Sequence, residues 1–125
     1  MVGDVLLYIG SIVITLWGVA HIVPTRSVII GFGPISNDNR RIITMEWIAE
    51  GLTLCFIGLL ALFITILGES QDQVSDMVYR GSAAMLLVMA LLTLLTGART
   101  PIVPIKICPL VKTAVAVLFL VGSML

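Results

Sequence analysis

Two glutamates in one apolar stretch are the residues of this chain best placed to do chemistry. Glu46 and Glu50 lie four residues apart, near the start of an apolar run that continues to Leu67. On a helix this spacing places both carboxylates on one face, one turn apart. An ionisable group inside a membrane-length apolar segment is costly unless it faces the protein interior and has a partner. We therefore expect these carboxylates to bind a polar ligand group or to handle a proton.

His21 and Lys112 are the candidate partners of Glu50. Imidazole titrates near neutral pH, which suits proton handling or contact with a cofactor, and a purely structural histidine is the competing interpretation. Lys112 either pairs with Glu50 inside the protein or extends its ammonium group to the interface. Glu46 lies close to the start of its apolar run, where a carboxylate is also favoured by the helix dipole. The predicted ligand-binding or proton-handling set is Glu50, His21, Glu46 and Lys112, with Trp17, Trp47, Cys108 and Arg99 lining the same pocket.

The remaining reactive side chains predict no metal centre and no catalytic residues. The chain has one histidine, which cannot supply both axial ligands of a haem, and a di-metal carboxylate site usually needs two. Cys55 and Cys108 lie far apart, without the spacing of a zinc site or a disulfide framework. No nucleophile and base stand together, so enzymatic activity is the least supported class. The 7 basic and 7 acidic residues cancel, which leaves no basic surface for nucleic acid.

Composition predicts that the elements positioning these residues are membrane helices. Of the 125 residues, 59% are hydrophobic and 11% charged, and the mean hydropathy is +1.17. Soluble domains carry roughly a quarter charged residues. About 20 apolar residues span a bilayer core. Four windows satisfy this length, and together they predict a single all-α domain, an integral-membrane bundle of four transmembrane helices. The predicted spans cover residues 5–23, 42–67, 77–96 and 105–125.

The three connections differ in character. Residues 27–34 are too apolar for a solvated loop and too few to span, so we expect an interfacial or re-entrant segment after the first helix. Residues 36–39 have side chains that accept hydrogen bonds from free amides, which predicts a helix start. The composition of residues 69–76 predicts a short acidic loop. Three prolines within residues 101–109 argue against a regular helix there.

The distribution of positive charge predicts the orientation. Six cations lie in or beside the first and third connections, and one lies near the second; the six are Arg26, Arg40, Arg41, Arg99, Lys106 and Lys112, and the one is Arg80. Cytoplasmic loops of membrane proteins carry the excess of Lys and Arg. We therefore expect a plasma (inner) membrane protein with both termini extracytoplasmic and the polar pocket on the cytoplasmic side.

Two short motifs resemble a known family. The first helix ends in Gly18-Val19-Ala20-His21-Ile22-Val23-Pro24, and the second carries Glu46-Trp47-Ile48-Ala49-Glu50-Gly51-Leu52. Together they resemble the first half of the DoxX-like small four-helix membrane proteins. The resemblance implies that Glu50-Gly51 is the glutamate-glycine pair of that family. A lysine often stands in the family where His21 stands here. The resemblance also implies a small membrane subunit, in some members linked to quinone or thiol redox systems.

These observations predict a non-enzymatic accessory or ligand-binding subunit whose pocket holds a quinone-like or lipid-like molecule or docks a partner subunit. The alternatives are a proton- or ion-coupled transporter that acts as an oligomer, and a purely structural subunit of a larger membrane complex. The expected partners are membrane lipid and either further copies of the chain or the subunits of that complex.

Overall fold

The structure, a computed structural model, describes residues 1–68 and 72–125, which fold into five α-helices and contain no strand. The helices are α1 (Val2–Ile22), α2 (Thr25–Gly31), α3 (Asn37–Leu67), α4 (Gln73–Leu95) and α5 (Val103–Met124), with a 3₁₀ turn at Gly97–Arg99. All except α2 are long enough and apolar enough to cross a membrane. The predicted all-α fold with four membrane-spanning helices is confirmed.

Side-chain caps fix where α3 and α4 begin. The Ser36 hydroxyl accepts a hydrogen bond from the Asn39 amide at 3.1 Å, at the predicted helix start. The Asp72 carboxylate accepts from the amides of Val74 and Ser75. Because Asp72 is an N-cap, α4 begins at Gln73, so the prediction of a loop up to residue 76 is wrong for residues 73–76. The predicted loop residues 69–71 lie outside the described residues.

Arg80 lies in the second turn of α4. Its guanidinium donates to the Asp76 carboxylate at 2.9 Å, four residues earlier on the same face. This exposed pair is local to α4 and lies far along the chain from the glutamates of interest.

The prolines of the third connection do not prevent a helix, which corrects the prediction for residues 103–109. Pro104 lies in the first turn of α5, where a missing amide hydrogen costs nothing because that turn has free N–H groups anyway. Pro109 lies inside α5 and removes one backbone hydrogen bond to the carbonyl of Ile105. The helix therefore starts earlier than the proline content predicts.

The segment between α1 and α3 is a short helix at one end of the bundle. With seven residues, α2 is too short to cross a bilayer, and of its side chains only Ile29 is buried. It packs on α3, whose 31 residues extend to about 46 Å, beyond a bilayer core of about 30 Å. The excess length of α3 thus supports α2 outside the four-helix core.

The four long helices pack in the order α3, α1, α5, α4. Helix α1 lies between α3 and α5, and α5 lies between α1 and α4, whereas α3 and α4 touch only slightly. The bundle therefore has a weakly closed side between α3 and α4, which we call the α3–α4 seam. Across α1 and α3 the backbones are very close: a Cβ added at Gly58 would lie 2.7 Å from the Ser11 carbonyl oxygen.

The two ends of the bundle differ in charge. The connections 23–36 and 96–102 share one end with Arg26, Arg40, Arg41, Arg99 and Lys106, and we call it the basic end. The opposite end holds both termini and a buried contact between the hydroxyls of Tyr79 and Thr65, 2.8 Å apart. Between the ends the core is apolar, built from residues such as Leu7, Ile14 and Phe119.

Candidate functional site

A cluster of four polar side chains lies toward the basic end, and each spanning helix supplies one of them. The Lys112 ammonium of α5 donates hydrogen bonds to the Glu50 carboxylate of α3 and to the Thr93 hydroxyl of α4, the latter at 3.0 Å. His21 of α1 places Nε2 3.5 Å from the second Glu50 carboxylate oxygen. Residues distant in the sequence, such as 50 and 112, therefore meet only through the tertiary fold.

Lys112 is completely buried, with a side-chain exposure of 0%. The alternative in which its ammonium extends to the interface is therefore wrong. As the tenth residue of α5 it lies about 14 Å along the helix, too deep for easy exit, and Glu50 and Thr93 supply its partners inside. A buried charge needs such partners because its desolvation is otherwise uncompensated.

Trp47 holds His21 in place. The two rings stack with centroids 4.0 Å apart and planes 16° from parallel. The Trp47 indole N–H also donates to the His21 carbonyl oxygen at 2.8 Å. The imidazole Nε2 is buried without a hydrogen-bond partner, since its approach to Glu50 does not reach hydrogen-bond geometry. It is the polar atom of this cluster that is left unsatisfied, and buried polar atoms are rarely left so.

A cavity of about 790 Å³ opens beside this cluster, along the α3–α4 seam. Its size is within the range typical of small-molecule sites. Its walls are mostly apolar and come from all four spanning helices and from the connections at the basic end. The Glu50 side chain is 32% exposed, and it lines the cavity together with His21 and Thr93. Lys112 lies behind them and does not line it.

The predicted lining residues are placed unequally. Trp17, Trp47 and Cys108 line the cavity, and the Trp17 indole N–H donates to the Cys108 sulfur at 3.3 Å. Glu46 also lines it, with an exposed side chain one turn nearer the basic end than Glu50. The prediction for Arg99 is wrong. Arg99 is exposed in the 3₁₀ turn, and the residue of that turn that lines the cavity is Gly97.

Thr93 is the member of the cluster that the sequence did not indicate. Its hydroxyl donates to the Met89 carbonyl oxygen at 2.9 Å, as threonines in membrane helices commonly do, and it also accepts from Lys112. Several other threonines make the same local bond, including Thr44 and Thr53. Residue type alone therefore did not separate Thr93 from them.

Chemically, the site is a paired cation and anion with one face of the anion open to an apolar cavity. Glu50 and Lys112 balance each other in charge, so the cluster favours neither a free cation nor a free anion. The exposed carboxylate can accept a hydrogen bond from a molecule in the cavity, and an adjacent imidazole can exchange a proton with it.

Comparison with known proteins finds no matching family model, no matching curated protein and no matching solved structure. The site is therefore interpreted from its own geometry.

Proposed function

We propose that this chain is a small integral-membrane ligand-binding subunit. Its cavity takes a neutral amphiphile with a hydroxyl- or carbonyl-bearing head group, a quinone-like or lipid-like molecule. One observation carries the proposal: the Glu50 carboxylate, paired from behind by a fully buried lysine, is exposed at the surface of a mostly apolar cavity. A salt bridge with a purely structural role has no need of such a cavity.

The charges of the site favour a neutral head group. A cationic ligand would compete with Lys112 for Glu50, and an anionic one would be repelled by the Glu50 carboxylate. A hydroxyl, such as that of a quinol or a glycerolipid, donates to a carboxylate without adding charge. The apolar walls along the α3–α4 seam accommodate the tail of such a molecule.

The surrounding residues have distinct proposed roles. Glu50 accepts the hydrogen bond of the head group, and the His21 Nε2, 3.5 Å from that carboxylate, exchanges a proton with it when the two atoms close to hydrogen-bond distance. Lys112, which does not line the cavity, holds Glu50 in position from behind, and Thr93 accepts a second hydrogen bond from the Lys112 ammonium. The indole rings of Trp17 and Trp47 offer flat apolar surfaces against which a ring can pack.

We place the basic end in the cytoplasm, because cytoplasmic loops carry the excess of Lys and Arg. The ligand would then enter from the cytoplasmic leaflet of the plasma (inner) membrane. The resemblance to DoxX-like proteins agrees with a small membrane subunit of this kind and stays a hypothesis.

Native mass spectrometry of the protein purified in a gentle detergent tests the proposal. We expect a retained quinone-like or lipid-like molecule. It should be lost in Ala49→Phe, which fills the cavity from an exposed lining position and leaves every charge in place. Retention of the molecule should also be weaker in the double variant Glu50→Gln with Lys112→Met, which removes both charges together. The matched control is Lys106→Gln, an exposed cation at the same end that does not line the cavity.

Three results would contradict the proposal. Equal retention of the molecule in Ala49→Phe would place it outside the cavity. Proton or ion flux in proteoliposomes that disappears in Glu50→Gln, with no retained molecule, would identify a transporter. Co-purification of larger subunits with an empty cavity would identify a structural subunit.

A further inference from the structure

A second cavity lies at the basic end, outside the four-helix core and separate from the Glu50 site. It measures about 560 Å³ and is formed where α2 packs on the beginning of α3. We call it the arginine groove; its lining residues are Val23, Thr25, Arg26, Ile29, Ile30, Arg40 and Thr44. Among the described residues, none lines both this groove and the larger cavity.

The charge in this groove is uncompensated. Arg26 comes from the first turn of α2 and Arg40 from the first turns of α3, so two separate helices bring a guanidinium to one groove. No described acidic residue lines it, and neither guanidinium makes an ion pair or a hydrogen bond with any described residue. The planar guanidinium group binds phosphate through paired N–H donors, so two of them in one groove suit a phosphate group.

The apolar residues beside the arginines point to a lipid as the source of that phosphate. Val23 and Ile30 are 76% and 60% exposed, an apolar surface directly adjoining the charged groove. A soluble phosphate compound has no apolar part that would bury this surface, whereas the acyl chain of a lipid would cover it. The groove lies at the end of the bundle where α1 ends and α3 begins, and with the long helices across a bilayer we expect this end to reach the lipid head groups.

We propose that the arginine groove binds the phosphate of an anionic phospholipid, with Arg26 and Arg40 on the phosphate and the acyl chain against Val23 and Ile30. The preference for an anionic lipid follows from the same charges. The ammonium group of a zwitterionic head group finds no described carboxylate in the groove and two guanidinium groups that repel it. This proposal does not depend on what occupies the Glu50 cavity.

The test measures lipid binding to the full chain in nanodiscs or in detergent titrated with defined lipids, using phosphatidylglycerol and phosphatidylcholine as probes. We expect phosphatidylglycerol to bind more tightly. Arg26→Gln and Arg40→Gln should each weaken its binding about five-fold, since each basic side chain at an anionic membrane surface contributes a factor of that order. The matched control is Arg41→Gln. Arg41 neighbours Arg40 in the sequence, is equally exposed, and does not line the groove.

Each other outcome overturns the proposal. An equal loss in Arg41→Gln would mean that general surface charge binds the lipid. Equal affinity for both lipids would remove the anionic preference. Thermal stabilisation by inorganic phosphate alone, with no response to phosphatidylglycerol, would make a soluble phosphate compound the ligand. The exposure of Arg26 and Arg40 makes their variants compatible with folding. The thermal unfolding midpoint of these variants without added lipid, compared with that of the unsubstituted chain, reports folding independently.

Discussion

The Lys112 ammonium and the Glu50 carboxylate meet inside the bundle although their helices, α5 and α3, are not neighbours in the packing order. The long lysine side chain crosses the space between them, and Thr93 of α4 accepts a second hydrogen bond from it. The pair therefore links parts of the bundle that share little backbone contact. Through Glu50 of α3 and Thr93 of α4, Lys112 joins the two sides of the α3–α4 seam, and the cavity lies beside this connection.

Removing one partner of this pair should destabilise the protein more than removing both. We expect Glu50→Gln to lower the free energy of unfolding by about 3 kcal/mol, because it leaves the buried ammonium without its counter-charge. This value is at the low end for buried pairs, since Glu50 is partly exposed and glutamine still accepts a hydrogen bond. Addition of Lys112→Met should recover most of the loss. The free energy of unfolding of each variant is measured in the same detergent, and Glu46→Gln is the control at an exposed carboxylate. A double variant less stable than the single one would contradict this interpretation.

The close approach of α1 and α3 should make Gly58 intolerant of any side chain. A Cβ there would lie 2.0 Å from the Thr15 hydroxyl and 2.7 Å from the Ser11 carbonyl oxygen, and the backbone atom has little freedom to move. We expect Gly58→Ala to cost about 1–3 kcal/mol, as overpacking does. The control is Gly81→Ala on α4, where a Cβ meets nothing within 4 Å. A similar effect of the two substitutions on unfolding would show that the helices can separate freely.

The N-cap of α4 should make the start of that helix sensitive to acid. Three hydrogen bonds lower the pKa of Asp72. The one from the Ser75 hydroxyl has the largest effect, and those from the Ser75 and Val74 amides have smaller ones. A lowered folded-state pKa means that the cap stabilises above the ordinary carboxyl pKa of about 4, and that this contribution is lost as the pH falls through the folded value. The protection of the Val74 and Ser75 amides, measured as the exchange rate of the unfolded chain divided by that of the folded protein at the same pH, should therefore fall at low pH.

Two variants of Asp72 separate the charge from the cap. Asp72→Asn keeps a capping oxygen and should remove this part of the pH dependence, whereas Asp72→Ala should speed exchange at every pH. Unchanged exchange in Asp72→Ala would mean that the cap contributes nothing to the start of α4.

The hydroxyl of Thr93 should matter more than those of other threonines in the bundle. Thr93→Val keeps the shape of the side chain and removes the acceptor of the second Lys112 hydrogen bond. We expect the free energy of unfolding to fall by about 1–3 kcal/mol, because the buried ammonium donor is then left with one partner fewer. Thr53→Val is the matched control, since Thr53 bonds only to its own helix, at the Ala49 carbonyl. Equal losses would assign the effect to the local helix bond.

The basic end should face the cytoplasm. In intact cells, a membrane-impermeant thiol reagent should label Gln73→Cys at the acidic connection. It should label Lys106→Cys only after the membrane is opened. Both positions are exposed, and the chain without either substitution sets the background from the half-buried Cys55 and the buried Cys108. The opposite labelling pattern would invert the orientation and place the Glu50 cavity in the outer leaflet.

The sequence by itself determined the features that depend on local composition. Four apolar segments of membrane length, the helix start at Ser36 and the clustering of cations at one end are all visible in short windows. The proline-rich connection is the exception, because the effect of a proline depends on where the helix begins, and Pro104 falls in the first turn of α5.

Only the tertiary structure decided which side chains share the site. Hydropathy makes a helix cross the membrane but does not state which neighbour it packs against, because that depends on how the surfaces of two distant segments fit together. The order α3, α1, α5, α4 brings Lys112 inward, recruits Thr93 and leaves the seam where the cavity lies. The same packing leaves Arg99 outside the cavity, although it belongs to the same end of the bundle.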